Sequence, residues 1–129
     1  MKILLDTHVF IWALDNPVEI PSKALDLMRN PENDILISVG SMWEIAIKVS
    51  QNKLPLSIDY RIWIEKGLRD IGASILSIEI PHMELQSKLP WHHKDPFDRL
   101  LICQSISENL PIISNDTKFD LYPIKRIWG

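Results

Sequence analysis

The sequence predicts an α/β fold: a three-layer α/β/α sandwich around a central, mainly parallel sheet of four or five strands. Three observations carry that prediction. Short apolar runs alternate with longer segments whose apolar residues recur at helical spacing, the order expected when each strand is followed by a helix that crosses back over the sheet. The breaks between these segments fall on Pro, Asn, Gly and Ser, the residues that stop helices and open turns. At 129 residues, 46% hydrophobic and 24% charged, the chain also has the size and apolar content of one ordinary globular domain, so a single domain over residues 1–129 is expected.

Residues 2–6, KILLD, read as a first strand ending in an acid, and THVFIWAL continues as a buried helix stopped by Asn16 and Pro17. After Pro21 and Ser22, KALDLMRN places Ala24, Leu25, Leu27 and Met28 at helical spacing, with Asn30 and Pro31 as its stop. DILIS, residues 34–38, is a second strand. A helix from about Gly40 to Gln51 follows, apolar around much of its circumference and therefore expected to be well buried.

Beyond Pro55, SIDYRIWIEKGLRDIG reads as a helix closed by Gly72, and ASILSI, residues 73–78, as a third strand. PHMELQSKLP suits a short helix, with Pro81 in its first turn and Pro90 as its limit. WHHKD forms a loop, Pro96 to about Asn109 a helix, PIIS at 111–114 a fourth strand, and PIKRIW an added edge strand.

Composition excludes several classes. A lone cysteine, Cys103, cannot form an intramolecular disulfide and lies in an apolar helical stretch, where an inert buried thiol is expected. Asp6 interrupts the apolar start, so no signal peptide is expected. No run approaches the roughly 18 apolar residues of a membrane span. A soluble, cytoplasmic protein is the expectation. There is no G-x-S-x-G, P-loop or G-x-G-x-x-G. The four histidines and one cysteine lack zinc-ligand spacing. A net charge of −3 argues against a polyanionic partner unless bound cations neutralise local acids.

Four acids, Asp6, Glu44, Asp98 and Asp116, sit just past a strand-like run or early in a helix. In an open α/β sheet, ligands bind beyond the carboxyl ends of the strands, and acids gathered there would suit a hard cation such as Mg²⁺ or Mn²⁺. Each acid also has a local use. Asp6 is placed to cap the following helix, and Glu44 follows Ser41 in an S-x-x-E capping box. Asp116 lies in a polar turn after Ser114 and Asn115. Asp95 precedes Pro96 and is the natural cap of its helix, which leaves Asp98 for other work. Arg99 reads as a solvated helix arginine, His92 and His93 as an exposed loop pair, and Trp12, Trp43, Trp63 and Trp128 as core. Trp91 is the aromatic expected in a loop.

LLDTHVFIWAL, SMWEIAIK, HKDPFDRLLICQS and IISNDTKFD, in this order, resemble the acidic motifs of PIN-domain nucleases, most closely those of VapC-like toxins of type II toxin–antitoxin pairs. The likeness spans almost the whole chain. It implies that Asp6, Glu44, Asp98 and Asp116 are the four catalytic, metal-holding acids, with Asp95 outside the set. Thr7, Ser114 and Asn115 are supporting residues beside them. It implies one or two Mg²⁺ or Mn²⁺ ions that activate water against an RNA phosphodiester, leaving a 5′-phosphate and a 3′-hydroxyl. The partners it implies are an RNA substrate, a small cognate antitoxin and a second copy in a homodimer. The alternative is a binding or regulatory domain that keeps this fold without catalysis.

Overall fold

Strand and helix alternate along the chain because runs of β-branched and leucine side chains are broken by polar, proline or glycine punctuation. The computed structural model describes residues 1–129. Its strands are β1 (Lys2–Leu5), β2 (Asp34–Ser38), β3 (Ala73–Leu76), β4 (Ile112–Ile113) and β5 (Arg126–Ile127). Its helices are α1 (Thr7–Asp15), α2 (Ser22–Arg29), α3 (Val39–Ser50), α4 (Tyr60–Ile71), α5 (Ile80–Gln86) and α6 (Pro96–Glu108). The predicted five-stranded sheet is present, in the order β3-β2-β1-β4-β5, with every neighbouring pair parallel.

Side chains alternate across the sheet with the period-2 rule. Ile3, Leu5, Ile35, Ile37 and Ile113 face one core, completed by Val9 and Phe10 of α1, Ala24 and Met28 of α2, Ile45 of α3 and Trp63 and Ile64 of α4. Leu4 and Ile112 face the other, with Leu101, Ile102 and Cys103 of α6 and Phe119. Helices therefore cover both faces, as the sequence predicts. Each such side chain removed from water contributes about 1.5–3 kcal/mol, which fixes the register wherever both faces are buried.

The ends of the elements follow local chemistry. Gly72 closes α4 at φ 73°, a left-handed conformation that a Cβ would strain. Asp95 caps α6, its carboxylate accepting from the amides of Phe97 and Asp98 at 2.9 and 3.0 Å, with Pro96 in the first turn. Several boundaries differ from expectation: β3 stops at Leu76 and not at 78, and β4 is only Ile112–Ile113 within 111–114. Helix α5 ends at Gln86, short of Pro90, and α4 starts only at Tyr60. No helix is long and apolar enough to cross a membrane.

One feature of this topology positions the site. From β1, the chain builds outward to β2 and β3 on one side and to β4 and β5 on the other, so the strand order switches between β1 and β4. Connections leave the carboxyl edge in opposite directions there and open a crevice, the usual ligand position in such sheets.

Candidate metal centre

Asp6 and Ser114 leave the carboxyl ends of β1 and β4, the two strands that meet at the switch point. The Ser114 hydroxyl donates to Asp6 Oδ2 at 2.7 Å, tying the two exits together. Asp6 occupies the cap position of α1, but its side chain makes no capping bond. The local use suggested by the sequence is therefore not made. Behind it, Thr7 Oγ1 donates to Ser41 Oγ at 2.8 Å, linking α1 to α3.

Glu44 is brought to the same place by the start of α3. Ser38, not Ser41, is the cap: its hydroxyl accepts from the Gly40 amide at 3.0 Å. The helix thus begins one turn earlier than an S-x-x-E box requires, which puts Glu44 in the second turn and Ser41 inside the helix. Gly40 lies against α6, where a Cβ would stand 2.4 Å from Leu100 Cδ2. This close approach sets the part of α3 that carries Glu44 against the helix that carries Asp98. Glu44 is 7% exposed. Its Oε2 pairs with Lys48 Nζ at 3.2 Å, while its buried Oε1 has no hydrogen-bond partner.

Asp98 and Asp116 are joined through a residue that sequence reasoning placed in solvent. His93 is 6% exposed. Its Nε2 lies 2.9 Å from Asp116 Oδ2 and 3.2 Å from Asp98 Oδ2. One ligand atom from each of His93, Asp98 and Asp116 fall within 4.8 Å of one another, a spacing a divalent cation can span. Asp116 also caps the short 3-10 turn Thr117–Leu121, accepting from the Lys118 amide at 2.9 Å. Asn115 is exposed in the preceding turn.

The four acids share few counter-charges: Lys48 pairs with Glu44, and His93 and Lys118 lie by Asp116. Burial pushes the Asp98 carboxyl from 3.8 up to about 8, helped by the negative charges of Asp6, Asp95, Glu44 and Asp116. Burial likewise raises Asp6 and outweighs the lowering bond from Ser114. Partial burial also works against ionisation of Asp116, but hydrogen bonds from His93 and the Lys118 amide overcome it and hold this carboxyl below its usual range. Glu44 Oε1, an acceptor with no donor, and Asp98, a carboxyl its neighbours keep from ionising, fit a hard cation that only oxygen donors would satisfy.

Arg99 is the second correction. It is 1% exposed, and its guanidinium donates to the carbonyls of Leu89, Pro90 and His93 at 2.9, 2.8 and 3.3 Å. The Trp91 ring lies 3.7 Å from its Cζ. Tyr122 Oη donates to Pro90 O and accepts the His93 amide. The loop before α6 is thus clamped from two sides, and its clamp holds His93. The pattern HHKDPFDR contains both histidine and arginine, but no local rule separates a buried loop histidine from an exposed one. A third correction is Trp43. It is 60% exposed at the rim beside Glu44, its ring edge-on to Phe97 at 5.5 Å. A cavity of about 630 Å³ opens at the amino-terminal edge of β2 and β3 around Arg29, Asp34 and Arg69, away from these acids.

The PIN domain family matches residues 3–125. This chain belongs to the PIN-domain family. Solved structures of the same fold include DNA-bound VapBC from Salmonella typhimurium, at a TM-score of 0.74 and 16% identity over 98% of this chain and 97% of that one. VapBC2 from Rickettsia felis, bound to a promoter DNA fragment, matches at a TM-score of 0.68 and 20% identity over 100% of both chains. VapBC-5 from Mycobacterium tuberculosis, a member of the VapBC family of toxin–antitoxin systems, matches at 0.64 and 19% identity over 99% and 98%. No curated protein sequence matches the chain. Within this PIN domain, the cluster of Asp98, Asp116 and His93 is a candidate divalent-metal site.

Proposed function

We propose that this PIN domain, a single nuclease domain over residues 1–129, is a divalent-metal-dependent endoribonuclease and the toxin of a type II toxin–antitoxin pair. The observation that carries this reading is the acid cluster at the switch point, where Glu44 Oε1 lacks a donor and burial keeps Asp98 from ionising. The similar folds come from toxin–antitoxin complexes, which supports an antitoxin as partner and a cytoplasmic setting.

In this mechanism Asp6 and Asp98 hold Mg²⁺ or Mn²⁺ directly, and Glu44 and Asp116 complete the set. The ion, when bound, supplies Lewis acidity that activates a water and offsets charge on the reacting phosphoryl group. The chain's residues fix the rest. Ser114 holds Asp6 Oδ2 in one orientation. Glu44 Oε1, with free lone pairs, accepts a proton of the attacking water. The new bond to the water oxygen forms, the phosphorus–oxygen bond to the 3′-oxygen breaks, and the leaving 3′-oxygen takes a proton from bulk water to end as the 3′-hydroxyl. Asn115, exposed in the turn before Asp116, is placed to meet a phosphate oxygen. Trp43, 60% exposed beside Glu44, and Trp91, 74% exposed in the loop that carries His93 with one ring face on Arg99, offer faces on which unpaired bases can stack.

The test uses purified full-length protein on RNA with Mg²⁺ or Mn²⁺. Asp6→Asn and Asp98→Asn should each lower cleavage by more than about 100-fold, beyond the usual cost of losing a residue that only supports a ligand. Their folds should stay intact by circular dichroism. Unchanged cleavage by either variant would sink the mechanism. A protein that neither cleaves RNA nor gains thermal stability from either ion would instead be a binding domain.

A further inference from the structure

His93 lies where it could serve as a metal ligand or as a hydrogen-bond donor, and its surroundings choose between the two. Its Nδ1 accepts the backbone N–H of Asp95 at 3.3 Å. A ring nitrogen that accepts carries no proton, so the proton of the neutral ring is on Nε2, the atom facing Asp116 and Asp98. Coordination through Nε2 requires the other tautomer. Nδ1–H would then oppose the Asp95 N–H, donor against donor, in a partly buried place where an unpaired polar group costs up to about 1–3 kcal/mol. Nor is the ring free to move to another arrangement. The His93 amide is held by Tyr122 Oη and its carbonyl by Arg99, and the ring packs on Phe119 at 5.8 Å.

We propose that His93 is a positioning residue whose Nε2–H holds the Asp116 carboxylate in place beside Asp98 and leaves coordination of the ion to oxygen atoms alone. The inference rests on the nuclease reading for what those carboxyl groups hold, but its readouts do not use cleavage. It gives the loop clamp a purpose. Arg99 and Tyr122 fix the His93 backbone, His93 fixes Asp116 at the side of Asp98, and the two acids, on different elements, are presented to the ion already in register. An oxygen-only set also removes the imidazole nitrogen that would favour softer divalent metals over Mg²⁺.

Two measurements on full-length protein test this. In protein labelled with ¹⁵N-histidine, long-range ¹H–¹⁵N spectra should show His93 protonated at Nε2 and bare at Nδ1, with and without Mg²⁺. In Mn²⁺-loaded protein, pulsed EPR should show no coupling from a directly bound imidazole nitrogen. The variants add a third readout. His93→Ala should weaken Mn²⁺ binding by about 10- to 100-fold, the usual cost of losing a group that orients a ligand. His93→Gln, whose amide can place a donor near the Nε2 position, should recover most of it. A bound-nitrogen coupling in the wild type would overturn the proposal, as would Mn²⁺ affinity unchanged in His93→Ala. The spectra of the wild type decide the question even if a variant fails to fold. A wild-type protein that cleaves no RNA, with these results as expected, would overturn the nuclease reading and not this one.

Discussion

Asp98 makes the stability of the metal-free protein depend on pH in an unusual direction. A carboxyl raised from 3.8 to about 8 binds its proton more tightly in the folded chain than in the unfolded one. Between those two values the folded state holds more protons, so stability falls as pH rises through the window. Asp6 is shifted the same way by burial, while Asp116, shifted down, gives stability that is lost only as pH falls below its ordinary range. The thermal midpoint in EDTA should therefore fall between pH 5 and pH 8, and Asp98→Asn should reduce that fall and be the more stable protein at pH 8. Scans of both proteins at the two values check this. Parallel curves in the two proteins would show that the Asp98 proton is not held.

The loop before α6 shows a part of the protein that depends on long-range partners. Its three carbonyls are paired by one buried guanidinium, and the Nε of Arg99 is left without a partner. Arg99→Lys keeps the charge but not the planar fork, so at least one carbonyl loses its donor. A loss of about 1–3 kcal/mol in unfolding free energy by denaturant titration is expected, together with weaker Mn²⁺ binding as His93 loosens. A variant as stable as the wild type would mean that the clamp is dispensable. Local chemistry made most of the elements legible: Asn16–Pro17 stops α1, Gly72 stops α4, and the Asp95–Pro96 pair starts α6. Asp6, Glu44, Asp98 and Asp116 stood out because acids follow apolar runs. His93, Arg99 and Trp43 did not, because their settings depend on residues far away in sequence, such as Tyr122 and Asp116 for His93 and Phe97 for Trp43. The start of α3 fell between these cases, since Ser38 and Ser41 are equally good caps on paper and only the packing of Gly40 on α6 separates them.

At the scale of the whole molecule, the site must take up a polyanion although the chain carries a net charge of −3. Few lysines or arginines are available for phosphate contacts near the acids: Arg99 is buried in its loop and Lys48 is paired with Glu44, which leaves the exposed Lys94 and Lys118. Affinity for RNA should therefore come from the bound ion and from base stacking on Trp43 and Trp91, rather than from release of counterions by a basic face. With Ca²⁺ replacing Mg²⁺ as an oxygen-seeking ion, single-stranded RNA should bind only when the divalent ion is present. The plot of log affinity against log salt should be no steeper than about −2, the slope of two or three phosphate contacts on a single strand. Trp43→Ala should weaken binding by about 5- to 100-fold, the value of one lost stacking interaction, without moving the thermal midpoint much because the ring is exposed. A steep salt slope with Trp43→Ala unchanged would instead locate the RNA on basic side chains elsewhere on the surface, and the acids would then meet only the scissile phosphate.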